Sequence, residues 1–169
     1  EGKVVVVTGG GRGLGRAFTS ELADKGVNLA LVDLNQNDLN ATKKMALTKG
    51  VKIQTYITDV AKEDEVVSLF DQIVKDFGQV DGLINNAGIT RDGLIVRKKK
   101  IKDEAGNVTG EEIQKMSMQN WQSVIDVNLT GVFLCAREFF EKQLQLGGKG
   151  VCINISSISR NGNMGQTNY

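Results

Sequence analysis

The sequence predicts an α/β fold in which a doubly wound parallel sheet carries helices on both faces. Two observations predict it. Short apolar segments alternate with segments of helical periodicity, as in a buried parallel sheet with crossover helices. The first apolar segment, 4–7, also runs directly into a glycine-rich turn, 8–15. Right-handed crossovers then give the strand order 3-2-1-4-5, with a ligand crevice at the carboxyl ends of strands one and four.

The individual elements follow from the same patterns. Runs rich in Val, Ile and Leu predict strands, and apolar residues spaced three or four apart predict helices. We expect strands at 3–7, 28–32, 52–57, 82–85 and 150–155, and helices at 14–25, 37–49, 62–77 and 121–146.

The glycine-rich turn predicts a dinucleotide ligand. Glycine permits positive φ and lets a pyrophosphate approach the backbone, and Gly15 would let the first helix pack on the first strand. Asp33 ends the second strand, where a carboxylate accepts hydrogen bonds from the adenosine ribose. The alternative is that Asp33 merely caps the following helix together with Asn35 and Asn37.

Composition excludes several classes of function. The 169 residues are 40% hydrophobic with no proline, which suits a single domain over 1–169, and the net charge of +1 gives no global reason to expect nucleic acid or a membrane as partner. Histidine is absent, which excludes Ser-His and Cys-His nucleophiles and leaves no credible zinc site, so we predict no metal. Cys135 and Cys152 have apolar neighbours, so we expect buried, reduced thiols.

The sequence also predicts where the protein is located. No apolar run approaches the length of a membrane span, and the sequence enters a strand at residue 3 without a signal peptide, so we expect a cytoplasmic protein.

The segment 96–115 interrupts the strand–helix alternation with the basic run 97–102, and its flanks 96–101 and 108–113 permit a hairpin around Gly106 and Asn107. Most charge runs are simply solvated. The sharper hypothesis is that this run attracts an anionic thioester carrier, either an acidic carrier protein or the phosphates of coenzyme A.

Several ordered motifs are similar to those of a known family. They are the turn 8–15, Asp59-Val60, the segment 85–88, Asn128 within 126–131, and the segments 154–157 and 165–169. The sequence therefore resembles the classical short-chain dehydrogenases/reductases, and segment 88–94 resembles the branch that contains the β-ketoacyl-acyl carrier protein reductases. The resemblance implies a Rossmann-like fold and an oxidoreductase that interconverts a carbonyl and a secondary alcohol. A 3-oxoacyl thioester on acyl carrier protein or coenzyme A is the substrate that this branch suggests.

The resemblance also implies roles for particular residues. Tyr169 would be the acid/base, a serine of the pair Ser156 and Ser157 would hold the substrate oxygen, and Asn128 would anchor a water. Counting from the strand favours Ser157 and counting back from the tyrosine favours Ser156; we choose Ser157 because loops absorb deletions and strands do not. The cofactor-binding residues would be Gly9, Gly11, Arg12, Gly13, Leu14, Gly15, Asp33, Asp59, Val60, Asn86, Ala87 and Gly88.

The assignment of an asparagine after a strand has a simpler alternative. Asp59 and Val60 would lie beside the adenine, and Asn86 and Ala87 would line the crevice near the fourth strand. Asparagine after a strand also commonly does no more than close a turn. Asn128, inside an apolar helical stretch, needs hydrogen-bond partners wherever it is buried.

Cofactor choice is argued from charge. Asp33 would repel the 2′-phosphate of NADP, whereas Arg12 would favour it; we give the ribose position more weight and predict NAD, with NADP the less favoured cofactor. The family lysine belongs four residues after the tyrosine, so we expect the polypeptide and its sheet to continue past Tyr169. The helix 121–146 is apolar on more than one face, which with the resemblance predicts a homo-oligomer, either a dimer or a tetramer.

Two other functions compete. One is a catalytically inactive dinucleotide-binding sensor or scaffold of the same fold, which would use the same glycines and Asp33. The other is a methyltransferase that binds a different adenosine ligand, which the motifs at 85–88, Ser157 and Tyr169 disfavour.

Overall fold

A parallel five-stranded sheet forms the centre of the molecule. The structure is a computed structural model that describes residues 2–169; Glu1, the first residue of the predicted domain, lies outside the described residues. Within the described residues, seven strands occur in chain order: β1 (Val4–Thr8), β2 (Asn28–Asp33), β3 (Ile53–Ile57), β4 (Gly82–Asn85), β5 (Val96–Lys102), β6 (Val108–Lys115) and β7 (Val151–Asn154). The main sheet has the order β3-β2-β1-β4-β7, all parallel, which confirms the predicted order because β7 is the fifth strand of this sheet.

Five α-helices cover the two faces of the sheet. They are α1 (Gly13–Asp24), α2 (Gln36–Leu47), α3 (Glu63–Phe77), α4 (Met118–Ile125) and α5 (Gly131–Leu146). Apolar residues of α1 and α2 pack on one face, against alternate strand residues such as Val7 and Leu31. Residues of α3 and α5, among them Phe70 and Phe139, pack on the other face. Burial on both faces explains why the strands are almost continuously apolar.

The helix ends follow ordinary capping chemistry. Asn35 caps α2, because its side chain accepts hydrogen bonds from the backbone N–H groups of Asn37 and Asp38. Helix α3 begins with three acidic residues and ends at Gly78, which adopts a φ of 77°. Asn35 therefore fixes the loop at the carboxyl end of β2, and Gly78 ends α3 just before β4 begins.

The long C-terminal helix is interrupted at its centre. The sequence predicts one helix over 121–146; the structure begins it at Met118, where Ser117 caps it, and inserts a π-helical turn, Asp126–Thr130, between α4 and α5. A π turn adds one residue to a helical turn and is frequent at functional sites. Periodicity alone does not reveal it, because a single extra residue barely disturbs the apolar pattern.

The predicted hairpin is present and stands apart from the main sheet. Strands β5 and β6 pair with each other only, as an antiparallel two-stranded sheet. The basic residues of β5 face acidic residues of β6 in part: Lys98 Nζ lies 3.3 Å from Glu111 and Lys99 Nζ lies 3.4 Å from Glu112. The hairpin therefore projects from the domain as a largely exposed arm.

Two further findings concern the whole described chain. Within residues 2–169, no helix combines the length and the apolar character needed to cross a membrane. Cys135 and Cys152 are both free thiols, but only Cys135 is fully buried; Cys152 is half-buried, which corrects the expectation that both would be buried.

Candidate functional site

The glycine-rich turn between β1 and α1 is held by a contact that only glycine permits. Gly9 and Gly13 adopt φ values of 63° and 53°, which favour glycine. A Cβ on Gly15 would lie 2.0 Å from the carbonyl oxygen of Gly9. The first turn of α1 therefore packs directly on the backbone at the end of β1, and its N-terminus faces the crevice at the carboxyl end of the sheet.

Gly11 is fixed by side chains from three other elements. Its N–H donates to Asp33 Oδ2 at 3.0 Å. Its carbonyl oxygen accepts from Arg16 Nη2 at 2.7 Å and from Thr42 Oγ1 at 2.7 Å. The shape of the turn is thus imposed by α1, α2 and the end of β2, before any ligand binds. Arg16 and Thr42 were not predicted; Arg16 follows Gly15 directly and was a candidate by position, whereas Thr42 lies mid-helix and has no sequence signal.

Asp33 braces the turn instead of capping the next helix. Besides accepting from Gly11, its carboxylate accepts from the N–H of Asn35 at 3.1 Å through Oδ1, and Asn35 itself supplies the cap of α2. The capping alternative is therefore wrong for Asp33. Asp33 also lines the cleft near the ends of β1 and β2. Its role toward a ribose stays a prediction.

The end of β1 is also tied to the end of β4. Thr8 Oγ1 accepts from the N–H groups of Asn86 and Ala87, both at 3.0 Å. Asn86 Nδ2 donates to the carbonyl oxygens of Thr8 and Gly9, at 3.0 and 3.2 Å. Asn86 therefore holds the two strand ends together, and its amide is used inside the wall of the crevice. Thr8 was not singled out as a positioning residue from the sequence, although its place at a strand end is the relevant signal.

A cleft of about 300 Å³ opens where these strand ends meet. Predicted cofactor residues that line it are Gly9, Arg12, Asp33, Asp59, Val60, Ala87 and Gly88. The others, Gly11, Gly13, Leu14, Gly15 and Asn86, do not line it and instead form or brace the turn at its edge.

Sequence reasoning missed several residues of the cleft wall. They are Val32, Leu34, Asn35, Asp38, Thr58, Ile89 and Val127. Thr58 and Ile89 adjoin predicted residues, so their place after a strand was a usable signal. Val127 reaches the cleft from the π-helical turn, which nothing in the sequence pattern indicates.

Asn128 lies in the same π-helical turn and holds the loop that follows β4. Its Oδ1 accepts from the N–H of Ile89 at 2.9 Å, and its Nδ2 donates to the carbonyl oxygen of Ile89 at 3.0 Å. The side-chain amide is therefore bonded to one backbone unit at the rim of the cleft. The role of Asn128 in holding a water stays a prediction.

Ser157 and Tyr169 lie beyond β7. Ser157 caps a short 3-10 helix, Ile158–Asn161, by accepting from the N–H of Ser159 at 3.1 Å, and Ser156 is exposed. The ring of Tyr169 is 43% exposed. Ser157 and Tyr169 both follow β7, whereas Asn128 lies in the π-helical turn, and among the described residues no hydrogen bond joins the three to one another.

Tyr169 is nevertheless held close to the loop that follows β4. The N–H of Gly93 donates to the carbonyl oxygen of Gly165 at 2.6 Å, and Gln166 Nε2 donates to Asp92 at 3.0 Å. Asn168 is only 6% exposed. Its Nδ2 donates to the carbonyl oxygens of Arg91 and Asn120. These contacts fasten the residue before the tyrosine to both flanks of the hairpin.

The thiols and the acidic groups do not offer a second reactive centre. Burial raises the pKa of Cys135 to about 12 and also raises that of Cys152, so both thiols stay protonated at neutral pH. Within residues 2–169, no group of three or more Cys, Asp or Glu side chains is arranged to hold a metal ion.

Comparisons with known proteins agree on one family. Residues 3–169 match the family model described as short chain dehydrogenase. The chain is 37% identical over 169 residues to the 3-oxoacyl-[acyl-carrier-protein] reductase FabG of Staphylococcus epidermidis, covering 99% of this chain and 62% of that protein. It is 33% identical to the FabG of Thermotoga maritima, covering 100% of this chain and 61% of the relative. The chain thus spans about three fifths of the length of the curated relatives it matches.

Solved structures give the same result for the fold. The NAD+-bound xylitol dehydrogenase superposes with a TM-score of 0.82 at 27% identity, covering 100% of this chain and 58% of that one. Levodione reductase superposes with a TM-score of 0.80 at 31% identity, covering 99% of this chain and 59% of that one.

Replacing Gly15 tests whether the close packing of α1 on β1 builds the cleft. We expect Gly15→Ala to lower the free energy of unfolding by about 3 kcal/mol and to abolish dinucleotide binding, because the new methyl group meets a backbone oxygen that cannot withdraw. The matched control is Gly13→Ala, where no atom lies within 4 Å and only the positive φ is strained, at about 1 kcal/mol. Urea unfolding and calorimetry measure both quantities; equal losses in the two variants would contradict the packing argument.

Proposed function

The chain belongs to the short-chain dehydrogenase family, and we propose that the protein is an oxidoreductase that interconverts a carbonyl compound and a secondary alcohol with a nicotinamide dinucleotide. The cleft at the ends of β1, β2 and β4 carries this proposal, because the turn at its edge excludes every side chain at Gly15. A diphosphate needs such a close backbone approach at a helix N-terminus. The relatives named as 3-oxoacyl reductases and the NAD+-bound structural neighbour support it. They do not favour the inactive sensor or scaffold.

The chemistry is divided between the cofactor and the chain. When bound, the nicotinamide supplies or accepts the hydride. Tyr169 donates the proton to the carbonyl oxygen in the reducing direction and takes it back in the other. Ser157 donates a hydrogen bond to the same oxygen, and Asn128 keeps the backbone of Ile89 in place at the rim of the cleft. Histidine is not available for this step in the sequence, and a phenol, whose unperturbed pKa is about 10, serves at neutral pH when cations stabilise the phenolate.

For the substrate we propose a 3-oxoacyl thioester. The support is the name of the FabG relatives, which come from two genera and match 99 to 100% of this chain. The carrier of such a thioester, either acyl carrier protein or coenzyme A, is anionic. Cationic side chains on the exposed hairpin would favour the approach of either carrier.

For the cofactor we propose NAD in preference to NADP. Two acidic residues, Asp33 and Asp38, line the cleft. The carboxylate of Asp33 approaches Gly11, because a Cβ built on Gly11 would lie 2.9 Å from Asp33 Oδ2. Arg12 lines the same cleft and opposes their effect. With two negative charges against one positive charge, a 2′-phosphate on the ribose is disfavoured.

Neutralising Asp33 tests the choice of cofactor. We expect Asp33→Asn to reduce the ratio of kcat/KM for NADH over NADPH about tenfold, because the repulsion of the 2′-phosphate disappears while an amide oxygen still accepts from Gly11. Asp38→Asn is the matched control in the same cleft and should change the ratio less. Steady-state kinetics with both cofactors measure the effect. A wild-type preference for NADPH would contradict the proposal outright.

Removing the hydroxyl groups tests the catalytic assignment. We expect Tyr169→Phe to lower kcat for acetoacetyl-coenzyme A about 1000-fold and Ser157→Ala about 100-fold, with the dissociation constant of NADH unchanged, because neither hydroxyl takes part in holding the dinucleotide. Ser156→Ala is the matched control and should retain most activity. The measurement is NADH oxidation by the full-length gene product. A larger loss in Ser156→Ala than in Ser157→Ala would reassign the role to Ser156.

We also propose that the protein is a homo-oligomer that associates through the outer side of α5. An exposed apolar stripe with helical spacing runs along it: Leu129, Phe133, Phe140 and Leu144 are between 52 and 84% exposed. A contiguous apolar stripe of this kind is typical of an interface.

Charge placed on that stripe should separate the subunits. We expect the double variant Phe140→Glu with Leu144→Glu to sediment as a monomer at micromolar concentration, because each interface would then bury unpaired carboxylates. Ile101→Glu, an exposed apolar position on the hairpin, is the control that should keep the wild-type assembly. Sedimentation velocity distinguishes them; a monomeric wild type would sink the proposal.

A further inference from the structure

A second, smaller cavity lies outside the cofactor cleft, where the hairpin joins the domain. It measures about 150 Å³. Its walls come from the loop after β4, from the two ends of the hairpin and from the start of α4, including Arg91, Asp92, Arg97, Lys115 and Asn120. The cavity therefore exists only because the segment 96–115 is inserted between β4 and α4.

The cationic residues of this cavity have no acidic partners. Lys98 and Lys99, farther along the same strand, each face a glutamate. By contrast, among the described residues Arg91, Arg97 and Lys115 have no carboxylate oxygen within 4.0 Å. The sequence supplies glutamates on β6 opposite the middle of β5 and places Gln114 opposite Arg97. The unpaired charge is thus concentrated at the base of the hairpin.

The remaining polar groups leave the cavity positive. Gln114 Oε1 accepts from Arg97 Nε at 2.8 Å, which orients the guanidinium and leaves its terminal nitrogens available. Asp92 is the one carboxylate of the lining, and it accepts from Gln166 Nε2 at 3.0 Å. Three cationic residues and one acidic residue contribute to its walls, an excess of two positive charges around the cavity, and the N-terminal end of α4 adds partial positive charge.

The wall of the cavity contacts the residue that precedes the proposed acid in the sequence. The carbonyl oxygens of Arg91 and Asn120, both in its wall, accept hydrogen bonds from Asn168 Nδ2 at 3.4 and 3.1 Å. Asn168 precedes Tyr169 directly. The wall of the cavity is therefore hydrogen-bonded to the segment that carries the proposed acid.

From these contacts we infer that the cavity at the base of the hairpin is a subsite for a phosphate group of the substrate. An excess of two positive charges around the cavity favours a phosphate dianion over a carboxylate, and the volume of about 150 Å³ admits a phosphate group. The phosphate belongs to the pantetheine arm of a thioester or to a smaller phosphorylated carbonyl compound. The inference rests on the proposed function in so far as Tyr169 is the acid; the binding of phosphate itself does not depend on turnover.

Binding of inorganic phosphate tests the subsite without any catalysis. Trp121 follows Asn120 and is the only tryptophan of the chain, so its fluorescence reports on the wall of the cavity. We expect saturable phosphate binding to the full-length gene product at low ionic strength, by calorimetry and by Trp121 fluorescence, with potassium chloride of equal ionic strength as the blank. Arg97→Gln with Lys115→Gln should weaken it about tenfold.

The matched control uses cations of the same strand. Lys98→Gln with Lys99→Gln removes equal charge from the hairpin but none from the cavity, and phosphate binding should stay within about twofold of wild type. No saturable phosphate binding to the wild type, or an equal loss in both double variants, would overturn the inference.

Kinetics then identify where the phosphate comes from. With acetoacetyl-coenzyme A, the Arg97 and Lys115 double variant should raise KM about tenfold, whereas with the phosphate-free N-acetylcysteamine thioester of acetoacetate KM should not change. Inhibition of the neutral thioester reaction by dihydroxyacetone phosphate, lost in the same variant, would assign the smaller phosphorylated compound instead. An unchanged KM for coenzyme A thioester, without such inhibition, overturns the assignment to substrate. Absence of all turnover would instead refute the proposed function and leave the phosphate titration to decide on the subsite.

Discussion

The contact between Gly15 and the carbonyl oxygen of Gly9 is the constraint on which the rest of the molecule depends. It brings the first turn of α1 against the end of β1 at a distance that no side chain permits. The polar residues around it then complete the geometry: Asp33, Arg16 and Thr42 fix Gly11. A ligand that binds there meets backbone groups already in position, so little ordering entropy is lost on binding.

A second set of contacts links the cofactor cleft to the proposed catalytic residues. Thr8 and Asn86 join the ends of β1 and β4. Asn128 continues the chain of contacts, because its amide takes both hydrogen bonds of Ile89, three residues farther along the loop. The π-helical turn is what points Asn128 and Val127 toward this loop. Strand ends, loop and helix are thereby held as one rigid wall between the two cavities.

The parts that were predictable from sequence are those set by local pattern. The order of the five strands follows from alternation and handedness, and the hairpin follows from the turn at Gly106 and Asn107. The glycine-rich turn could be predicted from local sequence in the same way. Residues whose role depends on distant partners were not: Thr42 reaches Gly11 from the middle of α2, and Val127 enters the cleft through a helical irregularity. Asp33 and Asn86 were singled out from the sequence as cofactor residues, which stays a prediction; their hydrogen bonds to the backbone of the glycine-rich turn were not foreseen.

The hairpin is attached to the domain only at its two ends, and its strands pair with nothing but each other. Removing the hairpin would therefore leave every backbone hydrogen bond between strands of the central sheet intact. Residues of the arm can therefore be exchanged without rebuilding the sheet that carries the cleft. Mutation there offers a lineage a route to altered surface chemistry that leaves the hydrogen bonds around Gly11 and Thr8 in place.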